Sequence, residues 1–139
     1  MSWENEYKSK LTTAEKAVEL IKSSNRVVIG HACAEPSYLV DAMVANAESY
    51  HDVEIVHMVA MGKAGYAQPG MESHFRHNAL FVGGTTRKAV AEGRGDYTPC
   101  FFYRIPSLFT NGSLPVDVAL VQATPPDENG NMSLGISID

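Results

Sequence analysis

Val27-Val-Ile-Gly-His-Ala-Cys-Ala-Glu-Pro-Ser-Tyr-Leu-Val-Asp-Ala-Met43 passes from strand to helix within a few residues. Val27, Val28 and Ile29 read as a buried strand and Gly30 as its turn. Pro36 suits a first helical position, because its missing N–H would have no partner there. Leu39, Val40, Met43 and Val44 then recur at three- and four-residue steps, which makes one apolar helical face. The connection runs through Gly30, His31, Ala32, Cys33, Ala34, Glu35 and Pro36, and its backbone amides, Pro36 excepted, can gather near a helix N-terminus. That geometry favours an anionic group or a developing negative charge. The pattern alone equally allows a tight connection that needs one glycine and nothing more.

Working outward, Thr12-Thr-Ala-Glu15 fits a capping box that opens a helix with Ala14, Ala17, Val18 and Ile21 as its buried stripe. The residues before it read as a polar segment. Val53 to Val59 is rich in β-branched residues and reads as a second strand. Met61 to Gly70 is a loop, Met71 to Phe75 a helical turn, and Ala79 to Val82 a third strand closed by Gly83-Gly84. Thr85 or Thr86 then caps a short helix from Arg87 to Glu92. Tyr97 to Tyr103 reads as an edge or late-starting strand because of Pro99. Pro106 to Phe109 gives a turn of helix, Val116 to Val121 the clearest buried strand, and Met132 to Ile138 a last one. Strands alternating with helices argue for an α/β fold: an open, mostly parallel sheet with flanking helices. Ligands of such sheets bind beyond the carboxyl ends of the strands. The turns at Gly30–Pro36, Met61–Tyr66 and Gly83–Thr86 are expected on that side.

Composition narrows the classes. The 139 residues are 45% hydrophobic and 19% charged, enough apolar material for one packed domain. A net charge of −5 with scattered Lys and Arg argues against nucleic acid as a partner. The polar, mixed-charge start does not resemble a signal peptide. No apolar run reaches the roughly 18 residues of a spanning helix. Cys33 and Cys100 lie in apolar stretches without a CxxC pair, so reduced thiols, a cytoplasmic location and no membrane association are expected.

Several side chains invite chemistry. A thiol near a helix N-terminus can have a lowered pKa, so Cys33 is a conceivable nucleophile of a hydrolase, although a small buried residue is the commoner role. Glu35 could cap the following helix or face substrate. His74 and His77 have the i,i+3 spacing of two ligands on a helix, with no acidic or thiol partner nearby in sequence, so packing is expected and no metal. His57 reads as a hydrogen-bonded core residue and His31 as the histidine nearest to a substrate. Gly83-Gly-Thr-Thr-Arg87 resembles a phosphate-cradling loop but lacks the ending of a P-loop. Met58, Met61, Tyr66 and Phe81 are candidates for an acyl pocket.

Gly30 to Asn46 resembles the amino-terminal part of the acetyl-CoA hydrolase/transferase family, most closely the butyryl-CoA:acetate and 4-hydroxybutyrate CoA-transferases. The resemblance continues through Val56-His-Met-Val-Ala-Met-Gly-Lys63, Phe81-Val-Gly-Gly-Thr-Thr-Arg87, Asp96-Tyr-Thr-Pro-Cys-Phe-Phe-Tyr103, Ile105-Pro-Ser-Leu-Phe109, Val116-Asp-Val-Ala-Leu120 and Pro126-Asp-Glu-Asn-Gly130. It implies an α/β fold shared with sugar-phosphate isomerases. It also implies a reaction that moves CoA between butyryl-CoA or 4-hydroxybutyryl-CoA and acetate through a glutamyl-CoA thioester. The family's nucleophilic glutamate lies in a second half that nothing here matches. Residues 1–139 are therefore expected to be an amino-terminal domain lacking the carboxy-terminal catalytic half, inactive alone, and without a catalytic residue of its own. Coenzyme A enters as a substrate, with no permanently bound cofactor. The expected partners are acyl-CoA, acetate, the protein's own carboxy-terminal half and further copies of itself in a homo-oligomer. Gly30 to Pro36 becomes the candidate oxyanion and acyl region. A stand-alone α/β module binding a small anion or nucleotide is the alternative.

Overall fold

A computed structural model of the chain describes residues 2–136. Five strands, β1 (Arg26–Ile29), β2 (Val53–His57), β3 (Phe75–Ala79), β4 (Gly95–Tyr97) and β5 (Val118–Leu120), form one sheet in the order β4-β3-β2-β1-β5. Every pairing is parallel, from Arg26 opposite Glu54 to Ala79 opposite Tyr97. The chain walks outward from β1 to β4 and then crosses back, placing β5 on the other side of β1. The α/β reading with a parallel sheet holds.

The described residues form five α-helices, α1 (Trp3–Lys10), α2 (Ala14–Val18), α3 (Ser37–Ala45), α4 (Arg87–Ala91) and α5 (Ile105–Thr110). Val18 of α2, Val40 and Met43 of α3 and Ala89 of α4 pack with Val27, Ile29, Ile55 and Phe75 into one core. Successive strand residues point to opposite faces, so Val28 and Val56 meet a second, smaller cluster with Met58, Leu80 and Leu114, against which Ile105, Leu108 and Phe109 pack. A polar chain runs across the strands. Arg26 Nε donates to Glu54 Oε2 at 2.6 Å, Asn78 Nδ2 to Glu54 Oε1 at 2.7 Å, and Thr98 Oγ1 to Asn78 Oδ1 at 2.8 Å.

Several boundaries differ from the sequence reading. The polar start is a helix, α1. None of its residues is buried, so no apolar stripe marks it, but Glu4 and Glu6 sit in its first turn and Lys8 and Lys10 in its last, which suits the helix dipole. Thr13, not Thr12, caps α2, its Oγ1 accepting from the Lys16 amide at 3.4 Å. That shift takes Glu15 out of the capping-box position. Pro36 is the N-cap of α3, with ψ 70, rather than its first residue.

Strand β3 lies at Phe75–Ala79, four residues before the expected start. Its interior carries buried His77 and Asn78, polar residues that a search for apolar runs passes over. Strand β4 ends at Tyr97, and Phe102–Arg104 is a 3-10 turn, because Pro99 cannot donate to a ladder. Strand β5 is an edge strand with Ala119 exposed and only Leu120 buried, since it pairs with β1 alone. Residues 132–136 form no strand. Instead the Ser133 amide donates to Thr124 Oγ1 and the Thr124 amide to the Ser133 carbonyl. Ile138 lies outside the described residues.

Candidate functional site

The return of the chain from β4 to β5 makes a switch point between β1 and β5, the place where open α/β sheets bind ligands beyond their carboxyl ends. Gly30 sits there, its amide donating to the Leu120 carbonyl at 2.9 Å. A Cβ on Gly30 would stand 3.0 Å from the Ala34 carbonyl oxygen and 3.5 Å from that of Leu120. That close approach favours glycine here, and a left-handed φ does not enter.

The turn that follows is folded tightly. Ala32 adopts φ 52, a left-handed conformation unusual for alanine, and its amide donates to the Val59 carbonyl at 2.9 Å. Ala32–Ala34 then makes one 3-10 turn. Glu35 neither caps α3 with its side chain nor faces solvent. It is 7% exposed, and its Oε2 accepts from the Met61 and Gly62 amides, both at 2.9 Å. The turns after β1 and β2 are thereby joined.

Below Glu35 lies a row of buried polar groups. His57 Nε2 stands 4.0 Å from Glu35 Oε2, and His57 Nδ1 pairs with the Tyr66 hydroxyl at 2.7 Å. The Tyr66 and His77 rings are 5.5 Å apart, and His77 Nδ1–H donates to the Ile55 carbonyl at 3.2 Å. Burial, with His77 and His31 nearby, pulls His57 down to a pKa of about 4. Burial also lowers His77 and raises Tyr66. All three are held neutral near pH 7. His57 is the core histidine that the sequence suggested.

On the opposite face of the sheet the same turn borders a cavity of about 400 Å³, within the size range of small-molecule sites. Its floor is Val28, Val56, Met58 and Leu80, its rim His31 and Ala34, and its far wall Phe102, Tyr103, Ile105 and Phe109. The lining is almost entirely apolar, which suits a short hydrocarbon chain rather than a bare anion.

The sequence-derived candidates divide. Gly30, His31 and Ala34 line the cavity, Ala32 forms the left-handed corner of the turn, and Glu35 and Pro36 are buried. Cys33 is exposed, contrary to the expected small buried residue, because it rides the outside of the 3-10 turn. Of the acyl-pocket candidates only Met58 lines the cavity. Met61 and Phe81 are exposed, and Tyr66 is buried with the other core.

His74 and His77 do not share a helix. His74 lies in a turn with Nδ1 on the Tyr50 carbonyl at 2.9 Å, and His77 lies in β3. In Gly83-Gly-Thr-Thr-Arg87 the Gly83 amide donates to Phe81 and the Arg87 amide to Gly83. The segment starts a helix of five residues, and these two amides are occupied within it. The wall from Phe102 to Phe109 escaped the sequence reading. Its signal was the density of aromatics around Pro99, which reads equally well as a strand.

A family model described as the acetyl-CoA hydrolase/transferase N-terminal domain matches residues 1–139. A 4-hydroxybutyrate coenzyme A transferase of Clostridium kluyveri is 60% identical over 139 residues, which is 100% of this chain and 32% of that protein. A butyryl-CoA:acetate CoA-transferase of Anaerostipes caccae is 30% identical over 138 residues, 99% of this chain and 31% of that protein. Among solved structures, a 4-hydroxybutyrate CoA-transferase from Porphyromonas gingivalis superposes with a TM-score of 0.78 at 32% identity, over 99% of this chain and 31% of the other. The chain thus spans about a third of the length of these relatives. Among the described residues no helix is long and apolar enough to cross a membrane.

Proposed function

Because the chain belongs to the acetyl-CoA hydrolase/transferase N-terminal domain family, we propose that it forms the front part of a short-chain acyl-CoA:carboxylate CoA-transferase. The transfer runs between 4-hydroxybutyryl-CoA or butyryl-CoA and acetate. The observation that carries this reading is the 60% identity to a 4-hydroxybutyrate coenzyme A transferase along the whole chain. The apolar cavity at the switch point supports it.

The expected chemistry begins with an enzyme glutamate, supplied from outside residues 1–139. Its carboxylate attacks the thioester carbonyl and CoA leaves as thiolate, giving an acyl-glutamyl anhydride. The thiolate then attacks the glutamyl carbonyl, releasing the acyl group as its carboxylate and leaving a glutamyl-CoA thioester. Acetate reverses the sequence and departs as acetyl-CoA. Each attack places negative charge on a carbonyl oxygen, where one properly aimed donor lowers the barrier by roughly 2.7–4 kcal/mol. The part assigned to this domain is to hold the acyl chain in the cavity behind Gly30, His31 and Ala34, with the backbone of that turn beside the thioester. The domain alone carries no nucleophile for the transfer.

The test is transfer of CoA from 4-hydroxybutyryl-CoA and butyryl-CoA to acetate by the full-length protein and, in parallel, by residues 1–139. Acetyl-CoA is expected from the first and not from the second. Absence of transfer by the full-length protein would end this reading.

A further inference from the structure

We infer that Glu35 is a positioning residue, a buried carboxylate that clamps the Met61 and Gly62 amides and so fixes the turn after β2 against the turn that borders the acyl cavity. The inference rests on the functional reading above for what the cavity holds, but the clamp itself is a matter of geometry. Both bonds are 2.9 Å and converge on the single oxygen Oε2. Consecutive amides pointing at one anionic oxygen form a small nest. Without it two donors beside a buried side chain would need other partners.

The surroundings leave little freedom. A Cβ on Gly62 would collide with the Glu35 carboxylate, so a larger residue here displaces either the loop or the carboxylate and opens the clamp. Ala32 and Ala64, at φ 52 and 45, occupy left-handed corners in the two joined turns. Strained corners persist where the surroundings over-determine them. The Ala32 amide on the Val59 carbonyl closes the same pair of segments from the other end. His57, neutral and 4.0 Å away, fills the space beneath the carboxylate without competing for the two amides. Glu35 follows directly on Ala34, which lines the cavity. A shift of the clamp therefore moves the cavity rim.

The test uses the full-length protein with Glu35→Ala, Glu35→Gln and Gly62→Ala, read by amide hydrogen exchange and by kinetics with acyl-CoA. Glu35→Ala is expected to speed exchange at Met61 and Gly62 by about tenfold, without speeding it in β1 and β2. It should also lower kcat/KM for the acyl-CoA by about tenfold. Glu35→Gln keeps an accepting oxygen, and should restore protection and kcat/KM to within about threefold of wild type. Gly62→Ala, which keeps the Glu35 side chain but forces it and the loop apart, should reproduce the kinetic loss, and it decides the matter if Glu35→Ala fails to fold. Unchanged exchange at Met61 and Gly62, or faster exchange with unchanged acyl-CoA kinetics, would overturn the inference. If the wild-type protein transfers no CoA, the functional reading falls, and the exchange data still judge the clamp.

Discussion

The two faces of the sheet are built to different standards of closure. On the face covered by α2, α3 and α4, Ile55, Phe75, Tyr50 and Met43 are almost completely buried, and even histidines are sealed among them. On the other face Val28, Val56, Met58 and Leu80 look into a cavity, and Phe102 and Tyr103 in its wall are 69% and 73% exposed. A finished core resists any change of volume. A surface of exposed aromatics and open space is suited to bind. Close packing and open space thus lie on opposite sides of one sheet, and the Gly30–Pro36 turn is where the two sides meet.

Three measurements would break or sharpen that contrast. Ile55→Ala, in the sealed face, removes a side chain with no solvent exposure and should cost about 2–5 kcal/mol in urea unfolding. A loss under 1 kcal/mol would mean that this face is not the tight one.

The pH dependence comes next. His57 has a pKa of about 4 when folded against 6.5 as a free side chain, so the unfolded chain binds its proton first. Stability contributed by the neutral ring is complete above 6.5 and declines as the pH falls toward 4. Between pH 7 and pH 5 the loss from this residue alone should be about 2 kcal/mol, with His77 adding in the same direction. Equal unfolding free energies at the two pH values, or a His57 ring titrating near 6.5 by NMR, would refute the sealed environment.

The smallest effect on stability belongs to Phe102→Ala in the open wall. It should change unfolding by less than about 0.5 kcal/mol, yet raise KM for butyryl-CoA in the full-length protein. A large destabilisation with unaltered KM would make that wall core rather than site.

Much of this architecture was legible from local pattern. Arg26–Ile29 and Val53–His57 are runs of β-branched residues, and the helix after Pro36 repeats its apolar residues at helical spacing. These signals depend on side chains a few residues apart, so sequence carries them well. Strand β3 was misplaced because His77 and Asn78 are buried polar residues whose partners, Ile55 and Glu54, come from a neighbouring strand. The same reason hid the role of Glu35, since a carboxylate next to a helix start looks like a cap until the Met61 and Gly62 amides arrive from elsewhere in the chain. Gly30 is readable in the sequence as a turn, but what favours glycine there is the carbonyl of Ala34, a contact no local pattern announces, and not a left-handed φ. The cavity wall around Phe102 was missed because exposed aromatics have no periodicity to betray them.

The polar chain from Arg26 through Glu54 and Asn78 to Thr98 acts on the alignment of the strands as they assemble. Alternation of apolar residues rejects a strand that slides by one position, because every side chain would change face. It does not reject a slide by two, which returns each residue to its own side. If β2 slid so that Arg26 stood opposite Val56 instead of Glu54, its present partner across the sheet, the guanidinium would lose its carboxylate and Asn78 its acceptor. The apolar pattern and the polar chain therefore work as two gauges of different pitch, and the polar chain rejects this slide where the apolar pattern does not.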